Sequence, residues 1–345
     1  MKKALSILTA GCLAVSLAAC GSTAASSAAS AADSTASSAA ESTAASDTAA
    51  ADGQTYKVGI CQLVQHVALD AATQGFKDAL TEQLGDAVTF EEKNAQGDSN
   101  TCSTIINGFV SDNVDLILAN ATPALQAAQA GTNTIPVLGT SVTEYGVALG
   151  IDDFDGLVGT NISGTSDLAP LDEQAGIIKE LFPDAKTVGL LYCSAEANSQ
   201  YQVDTVKASL EELGYTCEYY AFSDSNDLAT VCQSAADASD VIYVPTDNTV
   251  ANNTEIVNNI CQPAGVPVVA GEEGIMSGCG VATLSISYYD LGYKTGEMAA
   301  EILADGADVS TMPVEFAPNV TKKYNAANCE ALGITPPDGY EAIAD

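Results

Sequence analysis

The stretch VDLILANATPALQAA, residues 114–128, changes its period at the centre. Leu116-Ile117-Leu118-Ala119 is an unbroken apolar run, the pattern of a strand covered on both faces. After Asn120 the chain reads as a helix. The Thr122 hydroxyl suits an N-cap, accepting from an amide of the first turn, and Pro123 suits the first helical position, where no amide hydrogen is needed. A buried strand thus hands over to a helix whose N-terminus opens at one end of a sheet.

The arrangement occurs twice. SDVIYVPTDNTVANNTEIV at 239–257 repeats it, KVGICQ at 57–62 has a counterpart in TVGLLY at 187–192, and IPVLGTS at 135–141 has one in VPVVAGE at 266–272. Three strand-like blocks in the same order at near-constant separation mark a duplicated unit, much longer than a solenoid repeat. Apolar runs alternate with helical segments such as LDAATQGFKDALTEQL at 69–84 and VDTVKASLEELG at 203–214, the latter closed by Gly214. This alternation predicts an α/β fold of two Rossmann-like lobes, each a parallel sheet between helices, with ligands at the carboxyl ends of the strands.

The termini add a location. Lys2-Lys3, an apolar segment and LAAC ending at Cys20 resemble a lipoprotein signal, predicting a leader over 1–19 and lipidation of Cys20, with a secretory cleavage nearby as the plainer reading. Residues 20–55 are mostly Ala, Ser and Thr, a composition that buries too little apolar surface to order itself and suits a tether. The body, 56–345, exceeds the roughly 250 residues one core supports, so two lobes are expected. A Gly-, Ser- and Thr-rich crossing at 156–167, with further crossings near 280–290 and 313–319, places 56–162 plus 284–313 in one lobe and 163–283 plus 314–345 in the other. Short multiple crossings suit a hinge.

The net charge is −34 and arginine is absent. Such a surface repels phosphate backbones and anionic headgroups, which excludes nucleic acid as a partner and limits membrane contact to the lipid anchor. Ten cysteines occur, and the eight beyond Cys20 are scattered about one per element, which predicts mostly buried thiols. With a single histidine, His66, and no CxxC, no metal site is expected.

Helix N-termini attract anions, and the ends opened by Thr122, by Ser141-Val142-Thr143 and by Asn198-Ser199 are candidates for holding a carboxylate, simple capping being the alternative at each. Asp247-Asn248 and Glu272-Glu273 follow strands at their carboxyl ends and could meet an ammonium, or be solvated acids of an acidic protein. Gln65 and His66 stand on the loop after the first strand, and His66 and Tyr288-Tyr289 could supply an apolar or stacking wall, a loop or core histidine and simple helix packing being the alternatives.

NAQGDS at 94–99, ANATPALQAA at 119–128, NISGTSD at 161–167, EANS at 196–199, VPTDNTVA at 244–251, GEEG at 271–274 and SYYDLGYKTGEMAAEIL at 287–303 form a set. In this order, across essentially all of 56–345, they resemble the ABC-transporter substrate-binding lipoproteins related to the tryptophan- and tyrosine-binding proteins of Gram-positive bacteria. The resemblance implies a type I periplasmic-binding fold and a monomer that closes about a hinge. It also implies delivery of an aromatic amino acid to a permease driven by an ATPase, without cofactor or catalysis. It favours Asp247 and Glu273 for the ammonium. The chain departs from the pattern at QHVALD, without Pro after His66, and at SVTEYG, where Glu144-Tyr145 stands for Asp-Pro. A sugar- or nucleoside-binding lipoprotein and a tethered sensory module are the alternatives. An enzyme would have to build its base on His66, and no G-x-S-x-G, Walker A or G-x-G-x-x-G follows a strand.

Overall fold

The computed structural model describes residues 54–317, 319–336 and 338–343. The expected leader, Cys20 and nearly all of the tether lie outside the described residues. In the first half, strands β1 (Tyr56–Gln62), β2 (Val88–Asn94), β3 (Leu116–Asn120), β4 (Val137–Val142) and β5 (Ile162–Ser166) alternate with helices α1 (Val67–Leu84), α2 (Ser99–Ser111), α3 (Thr122–Gly131) and α4 (Tyr145–Leu149). In the second, β6 (Thr187–Cys193), β7 (Thr216–Phe222), β8 (Val241–Val244), β9 (Val268–Ala270) and β10 (Ala282–Ser285) alternate with α5 (Leu171–Leu181), α6 (Ala197–Glu212), α7 (Ser225–Ala238), α8 (Asn248–Ala251), α9 (Thr254–Ala264) and α10 (Glu273–Cys279). The chain ends with α11 (Tyr288–Leu303), β11 (Glu315–Phe316), β12 (Thr321–Tyr324), α12 (Ala326–Leu332) and β13 (Glu341–Ala342).

The first sheet runs β2-β1-β3-β4-β5-β11 and the second β7-β6-β8-β9-β10-β12-β13, parallel except where β12 returns against β10. The duplicated blocks occupy equivalent strands, β1 with β6, β3 with β8 and β4 with β9. In both sheets the strand order reverses beside the first strand of the unit, and crevices open there at the carboxyl ends. Each sheet is apolar on both faces. Val58 and Ile60 pack with Phe76, Leu80 and Met298 on one side, while Ile117 and Ala119 meet Ile106 and Phe109 on the other. In the second half, Val188 and Leu190 face Val203 and Leu210, and Leu191 and Ile242 face Leu228 and Ile275. Each large side chain so buried contributes about 1.5–3 kcal/mol.

The boundaries differ from expectation by a few residues. The β5 segment ISGTS looks like loop but pairs along β4, so the first crossing starts at Asp167 rather than 163. Glu315 and Phe316 pair with β5, so the last crossing lies beyond Phe316 rather than at 314. Ser285 stays with β10 in the second sheet, paired with Thr321. Ladder hydrogen bonds decide membership here, and small polar residues do not advertise them. The helix after β3 also starts differently: Ala121, at φ 89°, is the N-cap without a side-chain hydrogen bond, and Thr122 and Pro123 form the first turn. The eight cysteines of the body are buried thiols, with the sulfurs of Cys232 and Cys261 3.6 Å apart.

Helix α11 returns from the second half to pack along α1, and the two approach backbone to backbone. A Cβ at Gly292 would overlap the carbonyl of Ala72, and one at Gly75 would overlap that of Tyr289. Gly292→Ala is therefore expected to destabilise the protein by about 1–3 kcal/mol through overpacking. Gly108→Ala, in α2 with open space around its Cβ position, should be neutral or stabilising by up to about 1 kcal/mol. Thermal denaturation of the two variants checks the contrast.

Candidate functional site

Where the carboxyl ends of the two sheets meet lies a narrow polar cavity of about 10 Å³. The first half contributes His66, Ser141, Thr143, Asp167 and Tyr288, and the second Asn198, Thr246, Asp247, Asn248 and Glu272. Two hydrogen bonds join the halves across it, His66 Nε2 to Asn248 Oδ1 at 3.2 Å and Thr143 Oγ1 to Thr246 Oγ1 at 3.3 Å.

Ser141 reaches the cavity through an irregularity of β4. Between paired positions Gly139/Gly164 and Val142/Ser166 the strand carries one residue more than β5, and Ser141 adopts φ 54° there. Such bulges re-aim side chains, and backbone strain of this kind gathers at functional sites. Asp167 follows β5 at the first crossing, and Tyr288 begins α11 after the second. The Tyr288 hydroxyl donates to Asp167 Oδ2 at 2.8 Å, so this bond ties two crossings together.

Three carboxylates line the cavity without a lysine beside them. Asp247 is the N-cap of α8; it accepts from the Val250 amide at 2.9 Å, the Cys193 amide at 2.7 Å and the Ser199 hydroxyl at 2.8 Å. Burial, with Glu196 nearby, still pushes its pKa up to about 7. Glu272 caps α10 through the amides of Gly274 and Ile275, and burial pushes it also up to about 7. Asp167 accepts from the Tyr288 hydroxyl on Oδ2, with the Thr143 hydroxyl also near, and its Oδ1 is buried without a partner. Burial raises its pKa, against the opposing pull of the Tyr288 and Thr143 hydroxyls.

The His66 tautomer follows from its partners. Glu196 accepts from the amide of Asn248 at 3.0 Å, from its Nδ2 at 2.7 Å, and from the amide and hydroxyl of Thr249 at 2.9 and 2.8 Å. With Nδ2 committed to Glu196, Asn248 presents Oδ1 to His66, whose Nε2 must donate. Nδ1 is then a bare acceptor. Burial holds the ring below its ordinary pKa, in keeping with a neutral imidazole. His66 Nδ1, Ser141 Oγ, Asp167 Oδ1 and Asn198 Oδ1 are all buried without a protein partner, and all four residues line this one cavity. Each such atom costs about 1–3 kcal/mol, so their convergence calls for a ligand.

Asn248 also borders a second, wider cleft of about 190 Å³, walled in part by Leu63, Val64, Pro123 and Ala195.

The structure therefore brings together His66, Ser141, Thr143, Asn198, Asp247 and Asn248. It leaves others out. Gln65 is exposed. Thr122 is buried and does not line the cavity. Val142 packs into the apolar core and Ser199 is spent on Asp247. Glu273 does not line the cavity; it is bonded to Lys323 at 2.6 Å and to Ser285 at 2.8 Å beside an outer depression. The α4 end expected to open at Ser141-Val142-Thr143 is capped by Glu144, which accepts from Gly146 and Val147. Tyr289 is 41% exposed and bonds Asp78. Of the pair Glu272-Glu273, Glu272 lines the cavity rather than the favoured Glu273, and Asp167 was missed because ISGTS before it reads as a crossing and not as a strand with a carboxyl end. Among the described residues no cluster of three or more His, Cys, Asp or Glu could hold a metal.

The family model for ABC transporter substrate binding proteins matches residues 57–345. A tyrosine-binding protein of Clostridioides difficile (strain R20291) is 38% identical over 260 residues, covering 74% of this chain and 75% of that protein. An ABC domain from Streptococcus pneumonia solved in complex with L-Trp is 32% identical and covers 84% of this chain and 100% of its own, with a TM-score of 0.80. The ligand-free, open structure of a substrate binding protein with adhesive properties from Clostridium difficile is 38% identical, covers 84% and 99%, and has a TM-score of 0.65. The fold is that of the type I periplasmic binding proteins. With its duplicated sheets, its cavity between them and a match over the whole body, the chain belongs to the ABC transporter substrate-binding proteins.

Proposed function

We propose that this protein captures an aromatic amino acid between its halves by hinge closure, outside the cytoplasm and held to the membrane by lipid on Cys20. It releases that ligand unchanged to the permease and ATPase of an importer, and acts as a monomer. The observation that carries this reading is the unpartnered Asp167 Oδ1 in a cavity closed by both halves. A lone carboxylate out of water is costly, and an ammonium relieves it. In this reading the ammonium meets Asp167, with His66 Nδ1 and Asn198 Oδ1 as further acceptors, and the aromatic ring extends towards the cleft bordered by Leu63 and Pro123. Hinge closure is supported by the two superpositions: the less identical, Trp-bound structure fits better than the more identical, open one. The resemblance of two relatives to this chain, one described as tyrosine-binding and one solved with L-Trp, supports the ligand class.

Calorimetry with the twenty amino acids, several sugars and nucleosides tests the ligand. Tyrosine or tryptophan should bind, and a sugar response with silence from every amino acid overturns the proposal. Substitutions separate the acids. Asp167→Asn should weaken binding roughly 10- to 100-fold while raising the melting temperature of the unliganded protein, since it removes an unmatched buried charge. Asp247→Ala should lower that melting temperature, because it strands the Cys193 and Val250 amides.

The carboxylates also set a pH dependence. Asp247 and Glu272, at about 7, and Asp167, raised in the same direction, hold protons when folded that they lose on unfolding above about pH 4. The folded state binds more protons between about pH 4 and 7, so stability falls as pH rises through that window. His66, lowered by burial, acts in the opposite sense below about pH 6.5, one group against three. An ammonium favours the ionised acids. The unliganded melting temperature should therefore fall from about pH 5 to 8 while the ligand-induced rise grows, as measured by thermal shift at each pH.

A further inference from the structure

The eight thiols of the body are buried, and several have a fixed acceptor. Those of Cys193, Cys279 and Cys329 donate to main-chain carbonyls. Cys232 and Cys261 instead meet each other. Cys232 stands on α7 and Cys261 on α9, 29 positions apart in the chain, with their sulfurs separated by 3.6 Å. A disulfide bond measures about 2.05 Å, so a movement of roughly 0.8 Å by each sulfur would close it.

The helix that carries Cys261 is weakly held. Within Thr254–Ala264 only Val257 and Cys261 are buried. Pro263 lies in its last turn and supplies no amide to the helix, and Gly265 ends it at φ 72°. Elements with so few buried side chains open locally, well short of global unfolding, and an opening of α9 uncovers both sulfurs. Cys61 and Cys102 also hydrogen bond to each other. Cys61, however, is fully buried on β1, between β2 and β3 inside the first sheet. Exposing it requires that sheet to break.

We infer that Cys232 and Cys261 form a redox-modification site, a dithiol that a small disulfide oxidises to a Cys232–Cys261 bond anchoring α9 to α7. Substrate-binding proteins of ABC importers work outside the cytoplasm, where oxidants sustain disulfides. One thiolate of the pair attacks a sulfur of the oxidant, breaking its S–S bond and releasing one thiol. The other thiolate then attacks the protein sulfur of this mixed disulfide, forming the internal bond and releasing the second thiol. Two electrons pass to the oxidant, and the two protons of the pair end on its released thiols. Helix α9 directly follows α8, whose N-cap is Asp247, so the bond secures the segment behind the binding site.

Incubating the intact folded protein with oxidised glutathione, followed by thiol counting and peptide mapping without reductant, tests the inference. Two of the eight body thiols should disappear, the mapped bond should join Cys232 to Cys261, and dithiothreitol should restore both thiols. Oxidation should raise the melting temperature by roughly 5–10 °C and slow amide hydrogen exchange in α9 at least about 10-fold. Cys261→Ser should abolish both effects, and Cys232→Ala takes its place should that variant fold poorly. The inference is overturned if all eight body thiols persist, if Cys61 and Cys102 pair instead, or if the bond forms without slowing exchange in α9. A rise in melting temperature that survives in either variant overturns it as well.

Discussion

Burying acids without cations is the constraint around which the centre of this protein is arranged. Asp167, Asp247 and Glu272 are each at most 5% exposed. Two of them are matched by the protein itself, because each closes the N-terminus of a short helix, where amides and helix dipole favour a negative charge. Asp167 has no such helix end. It stands where the chain leaves the first sheet, with one oxygen on Tyr288 and the other unmatched. The difference between acids that hold the fold and an acid that waits for a cation is thus a difference in donors, not in residue type.

The surroundings follow from duplication. Two copies of one strand order place two crevices face to face, and the parallel strands that build them are buried on both faces, leaving only their carboxyl ends to carry polar chemistry. The halves contribute unlike equipment. The first supplies His66, the bulged Ser141 and Asp167, and the second a set of carboxylates and amides that orient one another. Glu196 fixes Asn248, and Asn248 fixes the His66 ring across the junction, so a residue outside the cavity lining decides which imidazole nitrogen faces into it.

Much of the fold was legible in the chain. The apolar runs, the helix stops and the ordered repetition of three blocks define alternating parallel units, and the repeated strands do pair in parallel in both sheets. What misled were segments of small polar residues. ISGTS reads as linker because Ser, Thr and Gly are common in loops, yet its ladder along β4 and the Thr140–Thr165–Thr295 hydroxyl contacts make it an interior strand. The site was legible in position but not in role. His66, Ser141, Thr143, Asn198, Asp247 and Asn248 reach the cavity as expected from the carboxyl-end rule. Of the helix N-termini expected to hold an anion, that of α4 is closed by Glu144, whereas those of α3 and α6 carry no side-chain cap.

The sequence alone determined the alternation of buried strands and helices, the duplication and the absence of arginine, because these depend on local periodicity and composition. Tertiary structure alone decided which of two adjacent acids, Glu272 or Glu273, faces inward. It also decided that Asp247 is saturated by donors 54, 48 and 3 residues away in the chain while Asp167 keeps an oxygen free. A carboxylate's role depends on the donors that surround it, and those arrive from distant segments only once the sheets have formed.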